Sequence, residues 1–334
     1  MKDPISFEAW KRKHQFQPYA GTNTQASAVY INKMDLNLVR RMVGTKVSDD
    51  HVAFYVCNAP GPEGQTQAEV DETIRVALDD EREVACVAME WSPSAGTNDG
   101  KPFTKFLTFA PDGRLLPSVN LDGRGEKYMP GACVACHGGS MYSGRFPERG
   151  NPSPNIGATF LPFDTANFRF ATRAELTEGS QNAMLEQLNR LVQATQPPKP
   201  THDLIEGWYA HGGVAQNHGY VPEVWRQAES QSGGQGASVF YREVIATSCR
   251  TCHVAMKDSA NWDLNMPRPL GSSTPVSHVC GGTADVALNA SMPNALVSRD
   301  RLYEKARDDP ALAALLRSFL GCTDPVDDPA YPKR

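Results

Sequence analysis

Two pentads of the same form stand in this chain, Cys133-Val134-Ala135-Cys136-His137 and Cys249-Arg250-Thr251-Cys252-His253. Each reads C-x-x-C-H. With eight cysteines and eight histidines among 334 residues, random order would give ~0.005 such pentads. Two of them therefore constrain the chain more than any other feature. The spacing is that of covalent c-type haem attachment. Two thiols add across the two vinyl groups of one porphyrin, and the adjacent His supplies the proximal nitrogen to iron. Two other chemistries use paired cysteines. A four-cysteine zinc site does not require a His after each second Cys. A thioredoxin-like pair needs a βαβ setting, which neither pentad has. The expected cofactors are two covalently bound haem c groups, held by Cys133, Cys136 and His137 and by Cys249, Cys252 and His253.

The second pentad has helical surroundings. Residues 237–247 run straight into it, with Val239, Phe240, Tyr241, Val244 and Ile245 in a broad apolar stripe at helical spacing. Ser238 is the expected N-cap. Near the C-terminus, Asp309 is placed to cap a helix, Pro310 suits its first position and Gly321 suits its stop. Leu312, Leu315, Leu316, Phe319 and Leu320 share one face of that helix.

On the pentads the chain resembles dihaem c-type cytochromes. Its last ~90 residues, with a helix before C-x-x-C-H and a capped C-terminal helix, resemble a class I cytochrome c domain. That resemblance implies a distal methionine from the intervening loop. Two Met-Pro pairs follow the second pentad. Met266 lies 13 residues after His253, too near to round the haem edge, and Met292 lies 39 residues after it, just ahead of the last helix. Met292 is the expected ligand, with His278 and Met266 as alternatives. Packing of Met292 against the porphyrin is the plain alternative.

The first 130 residues read differently. Strand candidates are 52–57, 84–91, 104–109 and 115–121, the last two flanking a turn at 110–114. Thr66 and Glu69 form a capping box ahead of Val70, Ile74, Ala77 and Leu78. The expected fold class is α+β, with a small antiparallel-sheet unit at about 27–130 and a haem-binding, helical part at about 131–235. The Gly- and Ser-rich stretch 231–236 marks the boundary to a second domain, 236–334. No amphipathic helix precedes the first pentad, which departs from the class I pattern. Gly138 and Gly139 follow it and permit a tight turn or a close approach to the porphyrin.

The middle of the chain offers helices at 180–195, ended by the prolines at 197–200, and from Leu204. Aromatics at 161–163 and 168–170 suit either a haem wall or ordinary core. The distal side of haem 1 has several candidate ligands (Met42, Met89, Met141, Met184, His202, His211 and His218), or none. Arg40-Arg41 suits haem propionates or a solvated turn. Glu206, Gln216, His211 and His218 are the polar residues to inspect for acid–base work.

Cys57 and Cys86, and Cys280 and Cys322, make one pair per domain, and disulfides are expected at both. The second would clamp the Met292 loop; four buried thiols are the alternative. Covalent haem and disulfides belong to an oxidising compartment, so a periplasmic or secreted location is expected. The first 17 residues contain no apolar signal core, which reads as a mature chain. The net charge of −5 excludes a sequence-independent grip on nucleic acid. No run approaches the ~18 apolar residues of a membrane span.

The expected function is single-electron transfer between redox partner proteins. The alternative is a peroxidase-like oxidoreductase with haem 1 as reaction centre and haem 2 as relay; a haem-bearing sensor or assembly module is a third class. The bacterial dihaem cytochrome c peroxidases divide labour in this way. They place the first motif nearer the N-terminus, whereas 132 residues precede Cys133 here, so none of their catalytic residues is carried over.

Overall fold

The computed structural model describes residues 4–18, 25–64, 66–79, 83–121, 125–139, 155–210, 212–230, 234–256, 279–280 and 295–322. It is an α+β fold built on a twisted antiparallel sheet. The long strands are β1 (Gln25–Asn32), β2 (Val39–Ser48), β3 (His51–Ala59), β4 (Ala85–Ser92) and β5 (Phe103–Phe109). They pair in chain order, each with the next, as a meander. The short β6 (Leu115–Leu116) extends one edge. Residues 118–119 (β7) and 127–128 (β8) pair with each other, and β9 (Phe168–Arg169) closes the far edge against β1. The expected turn at 110–114 joins β5 to β6, with Gly113 at φ +80.

Period-2 alternation gives the sheet two faces. On one, Tyr30, Met42, Phe54 and Met89 pack toward α4 (Glu178–Ala194) and α5 (Lys199–Trp208), through Leu185, Leu188 and Trp208 among others. Gly44 allows this approach, because a Cβ there would lie 2.7 Å from the Phe54 ring and 3.0 Å from Leu188. On the other face, α1 (Phe7–Lys13) buries Trp10 against Ala53, Ala88 and Phe109. Beside it α2 (Gln67–Leu78) buries Val70, Ile74 and Ala77 against Ile31 and Val39. The Thr66–Glu69 capping box of α2 is present as expected.

The C-terminal part is a separate helical core. A short α6 (Glu223–Ala228) precedes α7 (Ala237–Phe240), which runs into a π-helical segment, Tyr241–Cys249, and then α8 (Arg250–His253). After it come α9 (Ala295–Asp308) and α10 (Pro310–Leu320). Phe240, Tyr241, Val244 and Ile245 pack against Leu302, Leu312, Leu316 and Phe319. Asp309 accepts from the Ala311 and Leu312 amides, and Gly321 stops the helix at φ +69.

Several expectations change in detail. Strands β1 and β2, and helices α1, α6 and α9, have weak patterns and were not foreseen. The 115–121 strand is split by Pro117, which has no N–H for the ladder. Ser238 is not the N-cap. The helix begins at Ala237 after Gly236, whose φ of +84 suits a residue without a Cβ. The prolines at 197–200 end one helix and also start the next, so α5 begins at Lys199, ahead of Leu204.

Candidate haem sites

The first pentad lies on α3 (Gly131–His137), which follows β8 through Met129 and Pro130. His137 is held by one bond that fixes its tautomer. Its Nδ1–H donates to the Thr159 carbonyl at 2.9 Å, which leaves Nε2 as the acceptor of a neutral imidazole. Burial, aided by the positive charge of Arg40, pushes its pKa down to about 4 against that bond. This is the state in which an imidazole ligates iron, with a backbone carbonyl as its outer partner. The ring faces Phe106 of β5 at 5.3 Å between centroids. The Cys133 thiol is pushed up to about 12 by burial and by Cys136. Its sulfur lies 3.8 Å from Met129 Sδ, to which the Thr108 hydroxyl donates at 3.3 Å.

The second pentad abuts the first. The Cys252 thiol is held well above its usual range by its hydrogen bond with Cys136 and by burial. Gly138, at φ +69, turns the chain directly against Ala255, whose carbonyl oxygen would lie 2.5 Å from any Cβ at that position. The close approach expected of this glycine is therefore to the other pentad's backbone. Arg250, inside the second pentad, is buried. Its Nε and Nη2 donate to Asp164 Oδ2 at 2.9 and 2.6 Å, and its Nη1 donates to the Tyr241 hydroxyl at 2.8 Å. The guanidinium also lies over Trp208, 5.3 Å from the ring centroid.

Between α3, the sheet and the second pentad lies a cavity of about 200 Å³. Cys133, Cys136 and His137 line it from one side, and Arg250, Thr251 and Val254 from another. Its sheet wall includes Met42, Val56 and Met89. Phe163 and Phe168, from the aromatics at 161–163 and 168–170, line it too while belonging to the main core, and Phe160 does the same. Arg40 is not in a solvated turn but on β2, where its side chain and that of Arg41 go to opposite faces of the sheet. It lines the cavity and pairs with Asp35.

Among the candidate distal ligands, Met42 and Met89 reach this cavity. Met184 packs at the edge of the core. His202 is exposed beside Asp203, and His218 lies 2.7 Å from Thr165 Oγ1 and 3.2 Å from Glu178. Met141, His211, Met266, His278 and Met292 lie outside the described residues. Of the polar residues singled out, Glu206 is an exposed partner of Arg190 and Gln193. Gln216 is a buried clamp. Its oxygen accepts from the Thr165 amide at 3.0 Å, and its amide donates to the Phe163 carbonyl and, at 3.1 Å, to the Tyr209 hydroxyl. Sequence reading passed over Asp35, Asp164 and Thr159. Their roles depend on contacts across long separations that no local pattern carries.

Both expected disulfides are present, Cys57–Cys86 between directly opposed residues of β3 and β4, and Cys280–Cys322. Among the described residues, one set of three His, Cys, Asp or Glu side chains has its ligand atoms within 4.8 Å of one another. It is Cys57, Glu83 and Cys86, two of which are joined as that disulfide. The four pentad thiols are not part of such a set among the described residues. No described helix is long and apolar enough to cross a membrane. No protein-family description, no curated protein and no solved structure matches the chain.

Proposed function

We propose that the protein is a dihaem c-type cytochrome that passes single electrons between redox partner proteins in the periplasm or outside the cell. The observation that carries this reading is the contact between the two C-x-x-C-H pentads, through Cys136 and Cys252 and through Gly138 and Ala255. Two haems tethered at touching motifs make one continuous route for an electron, with little protein between them. The residues suit the group. His137 is neutral with its outer nitrogen fixed, and Cys133 and Cys136 open on a cavity with an apolar sheet wall. Cys133, Cys136 and His137 would hold haem 1, and Cys249, Cys252 and His253 haem 2, with Met292 as the second ligand of haem 2. Bound haem supplies reversible one-electron chemistry at iron. The chain's own part is to fix the imidazole tautomer, shield the site from water and bring the two attachment points together. The two disulfides support an oxidising compartment.

The experiment is acid–acetone extraction followed by intact-mass measurement. Colour that stays on the protein and a mass raised by two porphyrins are expected. Extractable colour, or bound zinc in its place, overturns the reading. A second reading, catalysis at haem 1, is favoured by the cavity that opens beside His137.

A further inference from the structure

One end of the cavity is unusually rich in polar atoms that lack a partner. Asn32 Oδ1, Asp164 Oδ1 and Asn167 Oδ1 are buried without a hydrogen-bond partner among the described residues, and so are Arg40 Nε and Thr251 Oγ1. All five residues line the same cavity. The three acceptor-bearing residues are only 6%, 7% and 1% exposed.

These atoms belong to one place in the fold. Asn32 pairs with Phe168 where β1 meets β9, and the Lys33 amide donates to the Asn167 carbonyl at 3.0 Å. Asn167 Nδ2 donates to Asp164 Oδ2 at 2.8 Å and to the Ala246 carbonyl at 2.9 Å. Arg250 joins the same Asp164 oxygen, and Thr251 follows it in the chain. Arg40 stands opposite Tyr30, two residues before Asn32.

Charge narrows the guest. Each carboxylate already has a guanidinium, Asp35 with Arg40 and Asp164 with Arg250. A third guanidinium, Arg301, donates to the Asp35 carbonyl at 2.6 Å. A cation entering here would meet the two arginines that line the cavity, Arg40 and Arg250. An anion would meet the carboxylates of Asp35 and Asp164, with Asp164 Oδ1 bare, and the two bare amide oxygens of Asn32 and Asn167. A buried acceptor without a donor is costly, so the three oxygens call for N–H or O–H groups, while Arg40 Nε–H calls for an acceptor. We infer that this end of the cavity binds a small uncharged molecule that carries N–H or O–H donors and one acceptor oxygen, in the manner of a primary amide, beside the haem of the first pentad. The inference rests on the cofactor reading above and makes that haem the seat of a ligand or substrate.

The test titrates the holoprotein with formamide, which has two N–H donors and a carbonyl, and with N,N-dimethylformamide, which has no donor. The paramagnetically shifted proton resonances of the haems are followed. Formamide should give a saturable shift of one haem's resonances, and dimethylformamide none. Asn32→Leu should weaken formamide about tenfold, the order expected for one lost hydrogen bond. Thr251→Val, which removes another bare hydroxyl of the same cavity, should weaken it as well and serves if the first variant folds poorly. Equal responses to both amides, a non-saturating response, or unchanged binding in both variants would mean that the site holds water only, and would overturn the inference. A pyridine haemochrome spectrum of the same sample separates the two claims. Two haems without a formamide response sink the binding site alone, and absent haem sinks the cofactor reading with it.

Discussion

At the scale of single residues, the joint between the pentads depends on a few side chains. Arg250 is buried with Asp164 as its counter-charge. Arg250→Leu leaves that carboxylate buried without its partner, and should cost about 3–5 kcal/mol in denaturant unfolding. The double variant Arg250→Met with Asp164→Leu should recover most of the loss, because neither charge is then stranded. Recovery that fails would show that Arg250 acts by packing over Trp208 instead. Gly138→Ala adds a Cβ where an Ala255 oxygen already sits, at a positive φ. It should destabilise by roughly 1–3 kcal/mol and loosen the pentads from each other. The pentads themselves were legible in the sequence, since each is a local spacing of five residues. Asp164 was not legible, because its partner lies 86 residues away and nothing local marks it.

Elements carry a second set of consequences, on the sheet face turned away from the cavity. There α1 is fastened to β4 through Glu90, which is 3% exposed. Trp10 Nε1–H donates to it at 3.0 Å, His14 Nε2 lies 2.5 Å away, and Lys13 and Lys105 approach at 3.5 and 3.4 Å. His14 Nδ1 in turn lies 2.6 Å from His51 Nε2. Burial alone would raise the Glu90 pKa, yet the His14 bond and charge, with Lys13 and Lys105, hold it well below the usual carboxylate range. Its contribution is thus present above the unfolded-state pKa and is lost as pH falls through the folded one. His51 is pushed below its ordinary 6.5 by burial and by His14, so the folded state favours its neutral form and loses stability as pH falls through the histidine range. Urea midpoints measured from pH 7.5 down to 3 should therefore fall in two stages, and Glu90→Gln should flatten the lower one. A midpoint that ignores pH would refute this fastening. The Cys57–Cys86 bridge joins residues 29 apart, worth about 3–4 kcal/mol in the chain-entropy model. Cys57→Ser with Cys86→Ser should lower the thermal midpoint accordingly. Elements with strong signals, such as the α2 capping box and the Asp309–Gly321 helix, were readable in advance. β1 and β2 were not, because Gln25 to Ser48 mixes small, charged and apolar residues whose alternation shows only once both faces are covered.

For the whole molecule, the two pentads are unequal in their surroundings, which on the proposed dihaem reading makes the haems unequal. The first opens on a sheet and a partly polar cavity, and the second sits at the end of a π-helical run in a helical core. Their midpoints should separate by ~100 mV or more, and cyanide should bind at the first site in preference. A redox titration with a single midpoint and no cyanide response would contradict both. Met292→Ala should abolish the far-red sulfur-to-iron band and lower the potential of haem 2; survival of the band would move the ligand elsewhere. A different matter follows from the β1–β2 turn. Ser298 Oγ donates to the Met34 carbonyl at 2.6 Å, and Arg301 donates to the carbonyls of Lys33 and Asp35. These bonds join residues 264 to 268 positions apart. A chain made from its N-terminus completes every strand of the sheet long before Ser298 exists. The bonds of α9 thus become available only after every described strand, and they close on the turn that carries Asp35. The Asp35 wall of the cavity is consequently finished only when residues from the C-terminal part of the chain reach it.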